Sequence, residues 1–390
     1  MPKRRVAVML ESHWPYKRHA DVFVGAQQYA REHGWESTID EYVANTLMSP
    51  KPGVPAYDGI IARVTQELAR RAAHLRIPLV NVWASSPAWK KVPGVYPDFS
   101  AIGRMRAEHL LARGFRRFAA LTPQSDRGIA QELEAFIGSL SAAGYTCIAD
   151  KIPLAPYSTL KRWRRTEQTI ASWMDCLKPP IGLFVGADVD GRMVAQMCRN
   201  RGWRIPEDVA IVTGWNEETI CGHLHPTLTS VEVGYARIGY EAAKLLDRMM
   251  RGGKAPKEPI LLPPQGMVVR ESTDFFAIDD PLIAAALQFI AAKSHLDIGP
   301  DDVALAVASE TRTLHRRFRK YLDRPVASEI RRVRIERAKR ELTLSPRSLK
   351  EVARNAGFGD AMRMYEIFCR ELGVTPSQYR RQRQFDSAAH

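Results

Sequence analysis

Residues 311–319, TRTLHRRFR, set Arg312 and Arg316 four positions apart, which on a helix puts both on one face. A guanidinium is a planar fork of donors that matches guanine O6 and N7, so an arginine on an exposed helix can read a base edge in the major groove. The same arginines could instead touch phosphate alone. Thr313 lies beside them, while Lys320, Arg331, Arg332 and Arg334 read as phosphate contacts or a solvated face rather than as base readers. In a second such helix downstream, the positions expected to face bases are Ala361, Met362 and Arg363. The first two of these offer methyl groups of the kind that pack on thymine.

A second set of polar residues lies far upstream: Glu11, His13 and Trp14; Asp98; Arg127; Asp188; and Trp215, Asn216 and Glu217. Carboxylates, an amide and a guanidinium beside indole rings suit a sugar, whose hydroxyls need paired donors and acceptors and whose C–H faces stack on aromatics. Glu11 with Asp188 could also form an acid–base pair for glycoside cleavage. Little else supports an enzyme. The sequence has no GxGxxG, no GxxxxGK[ST], no GxSxG and no HExxH, so nucleotide cofactors and the commoner hydrolase and metalloprotease designs lack their signatures. The cysteines, Cys147, Cys176, Cys198, Cys221 and Cys369, have no metal-ligand spacing and are expected as buried free thiols. No cofactor is expected.

These residues need elements to position them. The 390-residue chain is long enough for two or more domains. Over its first 275 residues, short apolar strands such as VAVML, RFAALT, IGLFVG and VAIVTG alternate with helical stretches near 20–33, 100–113, 129–143, 160–177 and 188–201. Continuous apolar strands separated by helices predict parallel sheets covered on both faces, and the length fits two sheets better than one. In such folds ligands lie beyond the carboxyl ends of the strands, where the upstream polar residues gather.

The remainder reads as helices alone. A short apolar helix over 303–307, a turn at 308–310 and a second helix carrying Leu314 and Phe318 are repeated by Val352 and Ala353, a turn at Gly357, and Met364 and Phe368. Leu314 to Met364 and Phe318 to Phe368 are both 50 residues apart, with a charged helical connector over 327–342 between the units. Two helix-turn-helix units at a fixed offset are far less accidental than one. Charge follows the same division: residues 281–390 hold 21 Lys and Arg against 13 Asp and Glu, while the first 280 hold 36 against 30. The overall formal charge is +14, which favours a polyanionic partner. No apolar run reaches the roughly 18 residues of a membrane span, and the opening apolar stretch suits a first strand better than a secretory signal. A cytoplasmic location, with no membrane partner, is expected.

Two resemblances sharpen these expectations. VYPDFSAIGRMRAEHLLARGFRRFAAL, GWRIPEDVAIVTGWN, SVEVGYARIGYEAAKLLDRMMRG and VVREST resemble the core of LacI/GalR-type regulators. That likeness implies an α/β, two-lobed, type I periplasmic-binding-protein-like sensor of parallel sheets that closes on a small sugar. Two positions depart from the family pattern: Asn216 stands where Asp is usual, and Gln131 or Glu132 where many members carry arginine, with Arg127 one turn earlier. From residue 281 onward, EVA, GF, Phe368, Gly373, TP and YR resemble the AraC/XylS-type DNA-binding domain, implying an all-α domain whose two recognition helices enter successive major-groove segments of double-stranded DNA. The combination implies a sensing domain over 1–275, a linker over 276–284 and a DNA-binding domain over 285–390. It further implies a pentose effector, D-xylose first, a homodimer on repeated half-sites, and RNA polymerase as a partner if the chain activates. A sugar-binding protein of another role, or a repressor responding to a different monosaccharide, stays open.

Overall fold

The computed structural model describes residues 3–11, 17–48, 55–153, 159–274 and 280–383. Along the chain, β1 (Arg5–Met9), α1 (Lys17–Glu32), β2 (Glu36–Ile39), α2 (Val43–Thr46), β3 (Gly59–Ala62), α3 (Gln66–His74), β4 (Leu79–Asn81) and β5 (Val95–Pro97) come first. They are followed by α4 (Phe99–Ala112), β6 (Phe118–Pro123), α5 (Arg127–Ala142), β7 (Cys147–Ile152), α6 (Leu160–Asp175), β8 (Ile181–Val185), α7 (Asp188–Asn200), β9 (Val209–Val212), α8 (Glu218–Cys221) and β10 (Ser230–Glu232). Then come α9 (Tyr235–Met250), β11 (Ile260–Leu262) and β12 (Gly266–Val268). The rest is helical: α10 (Pro281–Lys293), α11 (Pro300–Ala306), α12 (Thr311–Leu322), α13 (Val326–Leu344), α14 (Leu349–Asn355), α15 (Ala361–Leu372) and α16 (Pro376–Arg383).

The chain forms two compact units. One comprises residues 1–102, 125–132 and 233–264; the other comprises 103–124, 133–232 and 265–390. The first is built on a four-stranded parallel sheet, β2-β1-β3-β4. All four residues of β3 are buried, as a strand covered on both faces requires. Against this sheet α1 and α9 pack unusually closely. A Cβ on Gly25 would fall 1.7 Å from the Ala236 carbonyl oxygen, and one on Gly239 would fall 1.9 Å from that of Val22. Two glycines therefore set the helix separation. Buried Asp247 on α9 is held by Tyr29 at 3.2 Å, Arg251 at 2.8 Å and Arg4 at 3.6 Å.

The second unit repeats the design with the parallel sheet β7-β6-β8-β9. Its core includes Phe118, Phe136 and Phe184 on one face of the sheet and Ile170, Trp173 and Met174 on the other. The two expected parallel sheets are thus present, with strand order changing beside the first strand in each, which leaves a crevice at the carboxyl ends. Of the expected buried thiols, Cys198 and Cys221 are buried and Cys147 and Cys369 half-buried, but Cys176 is exposed, because it caps the outer end of α6. Among the described residues no helix is long and apolar enough to cross a membrane.

The helical tail belongs to this second unit. Of the linker expected over 276–284, residues 276–279 lie outside the described ones. Residues 281–284 are the first turn of α10, capped by Asp280, whose carboxylate accepts from the Leu282 amide at 3.1 Å. Proline at the first helical position reinforces that start.

Candidate functional site

In the first unit, polar and aromatic side chains converge beyond β1, β3 and β4. Arg63 directly follows β3 and lies 3.1 Å from the Glu11 carboxylate. It also lies 2.7 Å from His19 Nε2 on α1 and 4.7 Å from the centroid of the Trp83 ring. Arginine can only donate, so His19 accepts at Nε2 and donates from Nδ1 to the Glu11 carbonyl oxygen at 3.2 Å. Burial, and then the neighbouring Arg63 charge, push the His19 pKa down to about 4, which keeps the ring neutral at physiological pH. Glu11 itself adopts a left-handed φ of 56°, and its amide donates to the Glu41 carboxylate at 2.8 Å.

The loop after β4 carries two indoles. Trp89 lies under the Arg127 guanidinium at 3.9 Å, and the Arg127 amide donates to Ser85 Oγ at 3.0 Å. Asn81 underpins this loop: its amide nitrogen donates to Tyr96 Oη at 2.7 Å and to the Trp83 carbonyl at 3.0 Å, while its oxygen accepts from the amides of Val64 and Trp83. Arginine–indole pairs present flat, half-buried faces with donors at their edges, a surface suited to a hydroxylated ring. Of the residues singled out in the sequence, Glu11 and Arg127 lie in this cluster. His13 and Trp14 lie outside the described residues. Asp98 serves the backbone instead, since its Oδ1 accepts from the Ala101 amide at 2.8 Å and starts α4.

The second unit contributes a separate network beyond β8 and β9. Asp188 opens α7 and is only 5% exposed. Its Oδ1 accepts from Thr213 Oγ1 at 2.6 Å, and its Oδ2 accepts from the amides of Trp215 at 3.2 Å and Glu217 at 3.0 Å. The carboxylate therefore shapes the 213–217 loop from inside. Asn216, with a left-handed φ of 60°, donates to Glu232 at 2.8 Å and accepts from Arg270 at 2.7 Å and Ser230 at 3.2 Å. Arg106, fully buried, donates to the Gly214 carbonyl at 2.7 Å and lies 4.4 Å from the Phe184 centroid. Asp188 and Asn216 thus hold the loop, while Trp215 and Glu217 are the half-buried side chains it carries. Sequence reasoning missed Arg63, His19, Trp83, Trp89, Arg106 and Arg270. Arg63, Trp83 and Trp89 had a usable signal, since Arg63 ends DGIIAR and the two tryptophans punctuate the loop after β4. Among the described residues no group of histidines, cysteines and carboxylates could hold a metal.

The tail presents a different surface. α11 and α14 are seven residues each, and α12 and α15 twelve each at an offset of 50. Two cores hold them. Ile283, Leu287, Ile290, Val303, Leu314, Phe318, Val326 and Ile330 form the first; Ile335, Ala338, Leu342, Val352, Phe358, Met364, Phe368 and Tyr379 form the second. The connector α13 feeds both, with residues on either side of Arg334. That arginine, 8% exposed, donates to the carbonyls of Ser294 at 2.8 Å, Leu296 at 2.8 Å and Ile298 at 3.2 Å. Gly357, at φ 87°, approaches so closely that a Cβ would fall 2.1 Å from the Ser294 oxygen. Ala308 occupies the corresponding turn of the first unit at φ 50°.

On the outer faces Arg312 and Arg316 are exposed and Thr313 is half-buried. Neither arginine has a carboxylate partner among the described residues. Lys320 is exposed, 5.2 Å from the Tyr321 ring. On α15, Met362 is 67% exposed, Arg363 exposed and Ala361 half-buried. The cations of α13 differ from the solvated or phosphate-facing residues their sequence suggests: Arg334 is a buried tie, Arg331 pairs with Glu371 at 3.2 Å, and Arg332 pairs with fully buried Glu329 at 2.6 Å. Arg324 meets the same carboxylate at 2.7 Å. Burial pushes the Glu329 carboxyl up, and the hydrogen bonds and charges of Arg332 and Arg324 more than offset it, so its pKa lies below the ordinary range. Two further bonds join the tail to the sheet region of its unit, from Arg116 to the Tyr321 carbonyl at 3.2 Å and from Arg324 to that of Ala112 at 3.5 Å.

Two family models match separate stretches of the chain. Residues 107–273 match the model of a periplasmic binding protein-like domain, and residues 303–382 match that of a helix-turn-helix domain. The Xylose operon regulatory protein of Escherichia coli (strain K12) is 26% identical over 386 residues, covering 97% of each chain. That of Haemophilus influenzae (strain ATCC 51907 / DSM 11121 / KW20 / Rd) is 27% identical, covering 96% of this chain and 98% of its own. In fold, the structure of a xylose-binding transcription activator, xylR, superposes with a TM-score of 0.59 at 23% identity, over 99% of this chain and 100% of that one. The chain is a DNA-binding transcription regulator, a periplasmic-binding-protein-like domain followed by a C-terminal helix-turn-helix domain, and it is similar over nearly its full length to the xylose operon regulatory proteins.

Proposed function

We propose that this regulator senses a pentose, D-xylose first, and activates genes for its catabolism by binding paired half-sites as a homodimer that engages RNA polymerase. The observation that carries the reading is similarity to xylose operon regulatory proteins along 97% of the chain, sensor and tail together. The sensing part is 1–275 and the DNA-binding part 285–390. Arg63, His19, Trp83 and Glu11 with Arg127 and Trp89 form the sugar-facing surface of the first unit, and Trp215 and Glu217 that of the second. Asp188, Asn216 and Asp98 shape those surfaces from behind. Arg312, Thr313 and Arg316 read bases through α12, Lys320 holds phosphate, and Ala361, Met362 and Arg363 face DNA through α15.

Sugar acts by shifting the chain between states of different operator affinity, which requires that it bind those states unequally. Calorimetric titration against a panel of pentoses and hexoses tests the effector: heat from D-xylose and none from the hexoses supports the reading, while a preference for a hexose would redirect it. Measuring operator affinity with and without that sugar tests the switch, and equal affinities would remove it. Because phosphate neutralisation releases counterions, affinity should fall steeply with salt.

A further inference from the structure

α12 and α15 share one template and carry opposed chemistry. Their core residues correspond at an offset of 50, Leu314 with Met364 and Phe318 with Phe368, all fully buried. Their outward positions therefore correspond as well: Arg312 with Met362, His315 with Tyr365, Arg316 with Glu366 and Arg319 with Cys369. On α12 this stripe is three exposed arginines and a half-buried histidine, all able to donate hydrogen bonds. On α15 it contains no cation. Met362 is 67% exposed, Tyr365 is 47% exposed, Glu366 is exposed and Cys369 is half-buried.

The difference extends to whole-helix charge. α12 carries five basic and no acidic residues, whereas α15 carries two of each, and Glu371 of α15 already pairs with Arg331 and Arg370. Phosphate attraction alone therefore gives α15 little hold on a duplex. What it offers is a methionine and a tyrosine presented to solvent at the start of a reading helix, beside the Ala361 methyl. Thymine is the base that carries an apolar group on its major-groove edge, and cytosine is the one whose edge is an amine donor suited to a carboxylate.

We infer that α15 reads a pyrimidine-marked segment through the thymine C5-methyl groups, with Met362 and Tyr365 as the methyl-reading residues and Glu366 accepting from a cytosine N4 amine, while α12 reads guanine. Each monomer then recognises two chemically different half-segments through two helices of equal length and matching core positions. This rests on the reading of the tail as a base-reading domain and adds to it which residues set the sequence.

The test uses the full chain. Duplexes are selected from a random pool in the presence of D-xylose, and the preferred site is then rebuilt position by position with deoxyuridine for thymine, which deletes only the methyl, or 7-deazaguanine for guanine, which deletes only the N7 acceptor. Two separate clusters of sensitive positions are expected. Deoxyuridine should weaken binding about fourfold per methyl in one cluster, the factor for one buried apolar carbon, and 7-deazaguanine should weaken it in the other. Met362→Ala should lose the thymine–uracil difference at the positions Met362 reads, while keeping that read by Tyr365 and its sensitivity to 7-deazaguanine; Arg312→Ala should keep the methyl preference and lose sensitivity to 7-deazaguanine. Both side chains are exposed, so both variants should fold. Indifference to deoxyuridine at every position would overturn the inference and favour a protein partner on the Met362 and Tyr365 face. So would a methyl preference that survives undiminished at every position in both Met362→Ala and Tyr365→Ala. If no duplex is selected at all, the base-reading tail itself falls, a result distinct from the first two.

Discussion

At the scale of single residues, His19 is the most telling titratable group. Its pKa falls to about 4 in the folded chain against about 6.5 for a free imidazole. Between those values the unfolded chain binds the proton and the folded one does not, so stability is full above about pH 6.5 and declines as pH drops toward 4. Thermal melts across this window should show the decline, and His19→Gln should flatten it; an equally steep profile in the variant would assign the acid sensitivity elsewhere. The proposed DNA contacts of α12 separate by chemistry. Arg312→Ala should cost about 1–3 kcal/mol on the preferred site and relax its sequence preference, while Lys320→Ala should weaken all sequences alike. Competition binding with matched and scrambled duplexes distinguishes them.

At the scale of elements, the two helix-turn-helix turns differ in strain. Ala308 holds a left-handed φ of 50°, a conformation that costs a side chain roughly 1 kcal/mol. Ala308→Gly should therefore stabilise the tail by up to about 1 kcal/mol, less the extra flexibility glycine brings to the unfolded chain. Gly357→Ala meets both a φ of 87° and a carbonyl 2.1 Å from the new Cβ, and should lose about 2–3 kcal/mol in denaturant titrations. Because Gly357 closes on Arg334 and Ser294, that loss should also blur the fixed spacing between the two units. On α13, Glu329→Gln would leave Arg324 and Arg332 facing a neutral amide in a buried site and should cost about 3 kcal/mol, again measured by denaturant.

At the scale of the whole molecule, the tail contacts the sheet region of its own unit through Arg116 and Arg324. Beside these bonds a groove of about 1060 Å³ runs between α4 residues His109 and Arg113, β12 residue Met267 and α13 residues Arg332 and Glu336. Such a junction is a physical link through which a ligand-dependent shift in the sheet region could reach the reading helices. Arg116→Ala should leave both sugar affinity and sugar-free operator affinity near wild type and reduce the ratio of operator affinities with and without sugar. An unchanged ratio would place the coupling outside this contact.

Much of this was legible in the chain. Strand and helix alternation in VAVML, RFAALT, IGLFVG and VAIVTG rests on local apolar periodicity, and the 50-residue repeat is a property of the string itself, so the parallel sheets and the paired helix-turn-helix units followed from sequence. The outward faces of these helices were legible too, because on a short helix the core residues Leu314 and Phe318 dictate which neighbours face out. What only tertiary structure decided was the use of polar residues whose partners are distant in sequence. Asp188 looked like a ligand residue until Thr213, Trp215 and Glu217 occupied its oxygens. Arg334 looked like a surface cation until three carbonyls of the 294–298 segment enclosed it. Arg63 and His19, 44 residues apart, gave no sign of meeting. Apolar burial follows from a residue's own type and spacing, whereas a charged side chain binds, braces or solvates according to which partners the fold brings within about 3 Å of it.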